Sequence, residues 1–148
     1  MNQTSAARRE TSIRVFLVDD HPVLRGGIRA LIDLQEDLRV VGEAGDGRTA
    51  LQRVAALKPD VVVMDLGIPR LGGIAATEWI KATCPGVEVL ALTGQREPGY
   101  ANLMLAAGAA GFCCKQSSPT DLLEAIRTIA AGGVYLDPTL AAPASQVC

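Results

Sequence analysis

The sequence predicts an α/β protein whose core is a doubly wound sheet of five parallel strands with helices on both faces. The first observation is that five short apolar runs alternate along the chain with segments of helical periodicity, an order typical of a parallel sheet. The second is that most of these runs are continuous in hydrophobicity, as expected of strands covered on both faces. The third is composition: 49% of the 148 residues are hydrophobic and 20% are charged, which suits one globular core.

The predicted strands are short, and most are β-branched or apolar throughout. Runs of this kind are typical of strands in the interior of a parallel sheet. They are RVFLV at 14–18, RVVGEA at 39–44, DVVVMD at 60–65, VEVLALT at 87–93 and AGFCCK at 110–115.

Apolar residues recur at helical spacing in the segments between these strands. Pro22 and Pro119 suit the first turn of a helix, and Ser118 is a good N-cap. Pro98 and Gly99 stand at the start of the fourth helix, which we therefore expect to be short. The predicted helices cover 22–35, 46–57, 72–83, 100–107 and 119–131.

One folded domain is predicted, over residues 13–133. Residues 1–12 have no apolar run after their arginines, so we expect a disordered leader and not a signal peptide. Residues 134–148 predict the start of a linker or tail, with no output domain in this chain. No stretch approaches the roughly 20 apolar residues that span a bilayer. We therefore expect a cytoplasmic protein that does not contact a membrane.

Charge and cysteine spacing argue against two further classes. The formal net charge of −2 and the sequence pI of about 5.4 do not suit a strongly basic nucleic-acid or membrane-surface domain. The four cysteines show no CxxC spacing and His21 is the only histidine, so no structural zinc site is predicted. Buried reduced thiols are the expectation for Cys113 and Cys114.

Polar residues stand where the predicted strands end. Asp19 and Asp20 follow the first strand, Asp65 ends the third, Thr93 ends the fourth and Lys115 ends the fifth. Ligands of a doubly wound sheet bind outside the carboxyl ends of its strands. Three carboxylates at that edge would repel one another, and a hard divalent cation such as Mg²⁺ relieves the repulsion. A single Asp there is more often a turn former or a helix cap, so the joint pattern carries the prediction.

Four segments carry a family resemblance: FLVDDHPVLRGGIRALI, VVVMDLGIPRLGGIAA, VLALTG and AAGAAGFCCKQ. Together they resemble the receiver domain of bacterial two-component response regulators, and within it the NarL/FixJ group most. Members of that group usually carry a LuxR-type helix-turn-helix domain after the receiver. The resemblance covers about 13–131 and implies a flavodoxin-like, doubly wound five-stranded sheet of order 2-1-3-4-5.

The resemblance implies a role for each acidic residue of the site. Asp65 would be the phosphoacceptor, which takes a phosphoryl group from a sensor histidine kinase. Asp20, Asp65 and the backbone carbonyl of Gly67 would bind Mg²⁺ directly, and Asp19 would act through a metal-bound water. A carboxylate nucleophile beside a cation agrees with the needs of phosphoryl transfer.

The resemblance also implies the residues that respond to the phosphoryl group. Lys115 would pair with its oxygens, Thr93 would hydrogen-bond one of them, and Phe112 matches the position of the switch aromatic of the family. Gly67 would leave the path of a hydrolytic water open, while Gln95 would reach that water from the other side. Both residues would therefore tune the lifetime of the phosphorylated form.

Several functions remain open from the sequence. The main prediction is a receiver that forms a homodimer on phosphorylation and reaches DNA only through a C-terminal domain that this chain lacks. A stand-alone receiver that acts through protein contacts and a pseudo-receiver that has lost phosphorylation are the alternatives.

A phosphatase of the haloacid dehalogenase type is disfavoured, because Gly67 stands where that family needs a second Asp. We therefore expect no enzyme activity beyond the receiver's own phosphoryl uptake and loss. A nucleotide-binding fold has little support, since no phosphate-binding glycine motif follows a strand.

Overall fold

The computed structural model describes residues 12–68, 71–94, 98–115 and 117–136. Strands and helices alternate over this whole region, as the sequence predicts. The strands are β1 (Ile13–Val18), β2 (Leu38–Ala44), β3 (Val61–Asp65), β4 (Glu88–Thr93), β5 (Gly111–Cys114) and β6 (Tyr135–Leu136). The helices are α1 (Pro22–Asp33), α2 (Gly47–Leu57), α3 (Gly73–Thr83), α4 (Pro98–Ala106) and α5 (Pro119–Ala130).

All strands pair in parallel, in the order β2-β1-β3-β4-β5-β6. The predicted order of the first five strands is confirmed, and so is the flavodoxin-like fold. The prediction of five strands is wrong by one. Tyr135 pairs with Gly111 and Leu136 pairs with Phe112, although the sequence places both residues in the linker. A two-residue strand has no periodicity, so only its backbone pairing to β5 reveals it.

The sheet separates two apolar cores, one on each face. On one face, Phe16, Met64 and Phe112 pack with α2, α3 and α4. On the other face, Leu17 and Leu92 pack with α1 and α5. Successive residues of a strand point to opposite faces, so both cores draw on every central strand. This burial on both faces explains the continuous apolar runs in the sequence.

The helix ends agree with local sequence signals. Pro22 and Pro119 occupy the first turns of α1 and α5. The Asp46 side chain caps α2 by accepting a hydrogen bond from the Thr49 N–H, and Ser118 caps α5 in the same way. Helix α4 has nine residues, fewer than any other helix of the described region, and it includes the Pro98–Gly99 pair. That shortness was expected.

The cysteines only partly agree with the sequence prediction. Cys84 and Cys113 are free thiols, and Cys113 is fully buried. Cys114 is disulfide-bonded, so the expectation of a reduced thiol is wrong there. Cys113 and Cys114 project to opposite faces of β5 because they are neighbours in a strand, and the two side chains therefore meet different surroundings. Within the described ranges, the structure contains no helix of the length and hydrophobicity that a membrane crossing requires.

Candidate functional site

The parallel sheet brings the predicted strand-end residues to one edge. Asp19 follows β1, where its N–H donates to the Ala44 carbonyl of β2 at 3.1 Å. Asp65 is the last residue of β3, and Thr93 is the last residue of the neighbouring β4. Lys115 follows β5 and donates its N–H to the Thr93 carbonyl at 2.7 Å. Backbone hydrogen bonds between neighbouring strands therefore hold the residues that carry the candidate site.

Four side chains form a cluster of metal-ligating groups at this edge. One ligand atom from each of Asp19, Asp20, His21 and Asp65 lies within 4.8 Å of the other three. Asp19 and Asp65 are buried, each with 3% of its surface exposed, whereas Asp20 and His21 are exposed. The cluster thus consists of two buried carboxylates and two side chains that are exposed to solvent.

The donor set of the cluster fits a divalent cation such as Mg²⁺. Oδ2 of Asp19 and Oδ2 of Asp65 are buried and accept no hydrogen bond within the described part of the chain. Both oxygens share one ammonium, that of Lys115. Two buried carboxylates with one counter-charge are costly, and a hard cation that prefers oxygen ligands would relieve the remaining repulsion. Asp20 adds a third, more accessible carboxylate.

Lys115 is the cation that faces the two buried carboxylates. Its Nζ lies 3.2 Å from Oδ2 of Asp65 and 3.7 Å from Oδ2 of Asp19. Burial raises the pKa of the Asp65 carboxyl above its ordinary value, and the nearby Asp19 charge raises it further. The Gly67 N–H and Lys115 lower this pKa but do not offset the burial.

Gly67 lies beside the Asp65 carboxylate, as the sequence predicts. Its N–H donates to Oδ1 of Asp65 at 3.2 Å. Among the described residues, a Cβ added at residue 67 would have Oδ1 of Asp65 alone within reach, at 4.0 Å. A side chain at this position would therefore fit and would stand next to the carboxylate.

Thr93 and Phe112 lie on the same face of the sheet. In the parallel register, Thr93 pairs with Cys114 and Ala91 pairs with Phe112, so both side chains project to one side. Thr93 is 1% exposed and Phe112 is fully buried in the core beneath the site. Gln95, the other predicted lifetime residue, lies outside the described residues.

Two residues contact the site without having been predicted. His21 places Nδ1 at 3.0 Å from Oδ1 of Asp19 and 3.2 Å from Oδ1 of Asp20. Arg25 donates from Nη1 to the Asp19 carbonyl at 2.5 Å and from Nε to Oε1 of Glu43 at 2.9 Å. The adjacency of His21 to the two aspartates was a usable signal. No sequence signal identifies the Arg25 contact, because it depends on the path of the loop between β1 and α1.

The Glu43 carboxylate anchors this arginine network to β2. Burial opposes ionisation of Glu43, but its hydrogen bonds with Arg29 and Arg25 outweigh it and hold the pKa of the carboxyl below its usual value. Glu43 is therefore a stable anionic partner for Arg25. Through Arg25, β2 and α1 together fix the backbone carbonyl of Asp19.

A parallel sheet with an acidic pair after β1, an Asp after β3, a Thr after β4 and a Lys after β5 defines the class of phosphoryl-accepting receiver domains. The model of the response regulator receiver domain family matches residues 15–127, which is more than half of the chain. The chain belongs to this family.

Curated relatives are response regulators, among them a transcriptional regulatory protein, and they are longer than this chain. The response regulator GacA of Pseudomonas viridiflava is 39% identical over 129 residues, a match that covers 87% of this chain and 60% of GacA. The transcriptional regulatory protein DegU of Brevibacillus brevis is 32% identical, and the match covers 87% of this chain and 55% of DegU. The chain thus spans somewhat more than half the length of these relatives.

Solved structures of receiver domains have the same fold. A two-component response regulator of the LuxR family from Aurantimonas sp. SI85-9A1 matches with a TM-score of 0.84 and 38% identity, over 88% of this chain and 93% of that chain. The isolated receiver domain of RcsB from Salmonella enterica serovar Typhimurium, solved with the phosphomimetic BeF3⁻, matches with a TM-score of 0.81 and 28% identity, over 88% and 96% of the two chains. Full RcsB has also been solved as dimers bound to DNA, with 66% of that chain covered.

Proposed function

We propose that this receiver accepts a phosphoryl group on Asp65 from a phosphohistidine of a sensor histidine kinase. One observation carries the proposal above all. The buried Oδ2 of Asp65 accepts no hydrogen bond in the described region, yet it lies 3.2 Å from the Lys115 ammonium. This oxygen has free lone pairs for attack and a cation beside it for the incoming charge.

The transfer step conserves atoms and electrons. An oxygen of Asp65 attacks the phosphorus, a P–O bond forms, and the P–N bond to the kinase imidazole breaks. The electron pair of that bond stays on the imidazole nitrogen, which takes a proton from solvent. The Gly67 N–H holds Oδ1 and so orients the carboxylate, which leaves Oδ2 as the oxygen that reacts.

The metal site of this proposal is formed by Asp20, Asp65 and the Gly67 carbonyl, with Asp19 acting through water. It is supported by the clustering of the carboxylates and by the unbonded oxygens of Asp19 and Asp65. The chemistry that Mg²⁺ supplies at such a site is charge neutralisation at the phosphoryl oxygens. Asp19 contributes the negative potential that attracts the cation.

Lys115, Thr93 and Phe112 form the response to phosphorylation in this proposal. An aspartyl phosphate adds about 1.5 to 2 negative charges and new acceptor oxygens. Lys115 pairs with these oxygens and the Thr93 hydroxyl donates to one of them. Phe112 then repacks toward the space that Thr93 leaves, which changes the surface formed by α4, β5 and α5. The shared face of Thr93 and Phe112 supports this coupling.

We further propose a cytoplasmic receiver that begins at residue 13 after a leader at 1–12 and includes β6 (Tyr135–Leu136), with a linker after that strand. DNA would be contacted by a C-terminal output domain outside these 148 residues, and not by the receiver with its net charge of −2. The longer transcriptional relatives support this assignment. The dimers of RcsB on DNA support a homodimer of this receiver, and in this proposal phosphorylation favours it. Equal sedimentation of the phosphorylated and unphosphorylated protein would contradict that part.

The alternatives predict different behaviour. A stand-alone receiver would take up phosphate in the same way but would lack DNA output, so the gene sequence after Cys148 separates the two. A pseudo-receiver would take up no phosphate. We propose no enzyme activity on other substrates, since the site offers one nucleophile and Gly67 in place of a second acid.

The experiment is intact-mass measurement after incubation with acetyl phosphate and Mg²⁺. Wild type should gain the mass of one phosphoryl group and Asp65→Asn should gain none. Asp60→Asn is the matched control, because Asp60 precedes the same strand at its opposite end. Uptake by Asp65→Asn at the wild-type level, or no uptake by wild type, would overturn the proposal.

A further inference from the structure

We propose that His21 is a fourth ligand of the cation site and makes it prefer nitrogen-binding transition ions, such as Ni²⁺, over Mg²⁺. The inference rests on the proposed function, because it assumes that a divalent cation binds at the acidic edge. It concerns which ion that edge selects and which side chain selects it.

The backbone turns the His21 ring toward the carboxylates. His21 is the N-cap residue of α1, with an extended backbone at φ −101° and ψ 99°, but its side chain makes no capping hydrogen bond. The backbone N–H of His21 donates to Oδ1 of Asp19 at 2.8 Å, which fixes the residue beside the cluster. The imidazole is therefore available to the site and is not used by the helix.

The ring nitrogen lies among charged groups of the site. Nδ1 is 3.0 Å from Oδ1 of Asp19, 3.2 Å from Oδ1 of Asp20 and 3.5 Å from Nζ of Lys115. It belongs to the set of four ligand atoms that lie within 4.8 Å of one another. The buried Oδ2 atoms of Asp19 and Asp65 share a single ammonium, that of Lys115, and a divalent cation would balance the remaining negative charge. Nδ1 is thus placed to share that cation with the carboxylates.

A nitrogen ligand changes the ion that such a cluster favours. Mg²⁺ takes oxygen ligands and gains little from imidazole. Affinity for nitrogen-containing sites rises from Mn²⁺ through Co²⁺ to Ni²⁺ and Cu²⁺, and imidazole suits these ions and Zn²⁺. With His21 added to Asp20, Asp65 and the Gly67 carbonyl, the site should therefore bind Ni²⁺ more tightly than Mg²⁺. The His21 side chain is 63% exposed, which leaves the ion accessible to solvent and to a phosphoryl group.

His21→Asn separates this role from a structural one. Asn replaces the nitrogen ligand by an amide oxygen, which suits Mg²⁺. Asn is also among the best N-cap residues, so α1 should not lose stability. Asp20→Asn is the matched variant, because it removes the negative charge of the neighbouring carboxylate while keeping an amide oxygen there.

The experiment is calorimetric titration of untagged protein with Mg²⁺ and with Ni²⁺ at one fixed pH. Wild type should bind Ni²⁺ more tightly, and His21→Asn should lower the ratio of the two affinities by about tenfold with Mg²⁺ affinity nearly unchanged. Asp20→Asn should weaken both ions. The cysteine thiols are present in every variant, so a difference between wild type and His21→Asn reports the imidazole alone.

Two outcomes would overturn the inference. The first is an equal Ni²⁺ to Mg²⁺ affinity ratio in wild type and His21→Asn. The second is a wild type that binds Mg²⁺ at least as tightly as Ni²⁺, because the imidazole would then not select the ion. Failure of wild type to bind Mg²⁺ at all would instead refute the metal site of the proposed function.

A second measurement is nitrogen NMR, in which a single histidine Nδ1 signal is expected, since His21 is the only histidine. Zn²⁺ should change the chemical shift of this Nδ1 signal, and Mg²⁺ should not.

Discussion

Lys115 lies 3.2 Å from Asp65 across the ends of β5 and β3, yet the pKa of the Asp65 carboxyl remains above its ordinary value. Burial of Asp65 outweighs the attraction of the ammonium, and the second buried carboxylate, Asp19, adds repulsion. The acidic edge thus carries an electrostatic cost that a cation or a phosphoryl group with its counter-ions would relieve. The buried carboxylates that the proposed function needs therefore lower the stability of the fold.

The first prediction concerns the pH dependence of stability. Because the pKa of Asp65 is raised from its ordinary value of 3.8, the folded state binds more protons than the unfolded state between these two values. The contribution of the Asp65 carboxyl to stability is present at low pH and is lost as the pH rises through the raised pKa. Without Mg²⁺, Asp65→Asn should therefore increase the free energy of unfolding at neutral pH, by on the order of 1 kcal/mol.

This gain should shrink as the pH falls below the pKa of Asp65, and urea unfolding at neutral and acidic pH measures it. Asp20→Asn is the control, because the Asp20 side chain is 35% exposed and its removal should change the free energy of unfolding less. A gain from Asp65→Asn that is constant across the pH range would refute the electrostatic explanation.

The second prediction concerns Arg25. Its guanidinium joins Glu43 to the Asp19 carbonyl, so Arg25→Met should loosen the loop that carries two metal-ligating carboxylates. Residues that orient ligands typically contribute about 10-fold or more to metal affinity, and a loss of that order is expected in a Mg²⁺ titration. Arg29→Met is the matched control, since Arg29 contacts Glu43 but has no described contact with Asp19. Equal losses in the two variants would show that Arg25 has no special role.

The third prediction concerns the lifetime of the phosphorylated form. The space beside Gly67 admits a side chain next to Oδ1 of Asp65, where an amide would orient or exclude the hydrolytic water. Gly67→Asn should therefore change the phosphoryl half-life several-fold without preventing uptake. The decay of the phosphorylated mass after donor removal measures it. Gly86→Asn is the control and should keep the wild-type half-life, because no described atom lies within 4 Å of a Cβ added at this residue of the loop before β4. A wild-type half-life for Gly67→Asn would show that Gly67 serves only as a turn residue.

The fourth prediction concerns the packing of α3 against the site. A Cβ at residue 73 would lie 2.6 Å from the Asp65 carbonyl oxygen and 2.9 Å from Cα of Leu66. Gly73→Ala should therefore destabilise the fold by about 1–3 kcal/mol, the usual cost of overpacking. At residue 72 no atom of the described residues lies within 4 Å of such a Cβ. Ser is a favourable N-cap there, so Gly72→Ser should keep wild-type stability. Chemical unfolding that finds the two variants equally stable would contradict this packing.

The fold could be predicted from the sequence because both faces of the central strands are buried. Val61–Asp65 is buried at every position, so its apolar run is continuous and easily found. Strand β6 could not be found, because two residues show no pattern and their pairing to β5 depends on the turn after α5. Helix α4 begins at Pro98 and not at 100, since proline is tolerated in the first turn of a helix.

The site could be predicted as far as parallel topology alone determines it. Asp19, Asp65 and Lys115 converge because the carboxyl ends of neighbouring parallel strands share one edge. The contribution of His21 depends on the direction of its ring at the start of α1, and that of Arg25 on a contact with a backbone carbonyl. The adjacency of His21 to Asp19 and Asp20 was a usable signal, whereas residue type and spacing do not encode the Arg25 contact. The roles assigned to Thr93, Phe112 and Gly67 stay predictions until phosphorylation is measured.

The most direct test of the central claim is to trap the acyl phosphate by reduction with borohydride, which converts a phosphorylated aspartate to homoserine. Wild-type protein, phosphorylated by acetyl phosphate in Mg²⁺, should yield homoserine at residue 65 alone when its peptides are sequenced by mass spectrometry. Homoserine at Asp19 or Asp20, or none in protein that has gained the phosphoryl mass, would contradict the assignment of Asp65 as the acceptor.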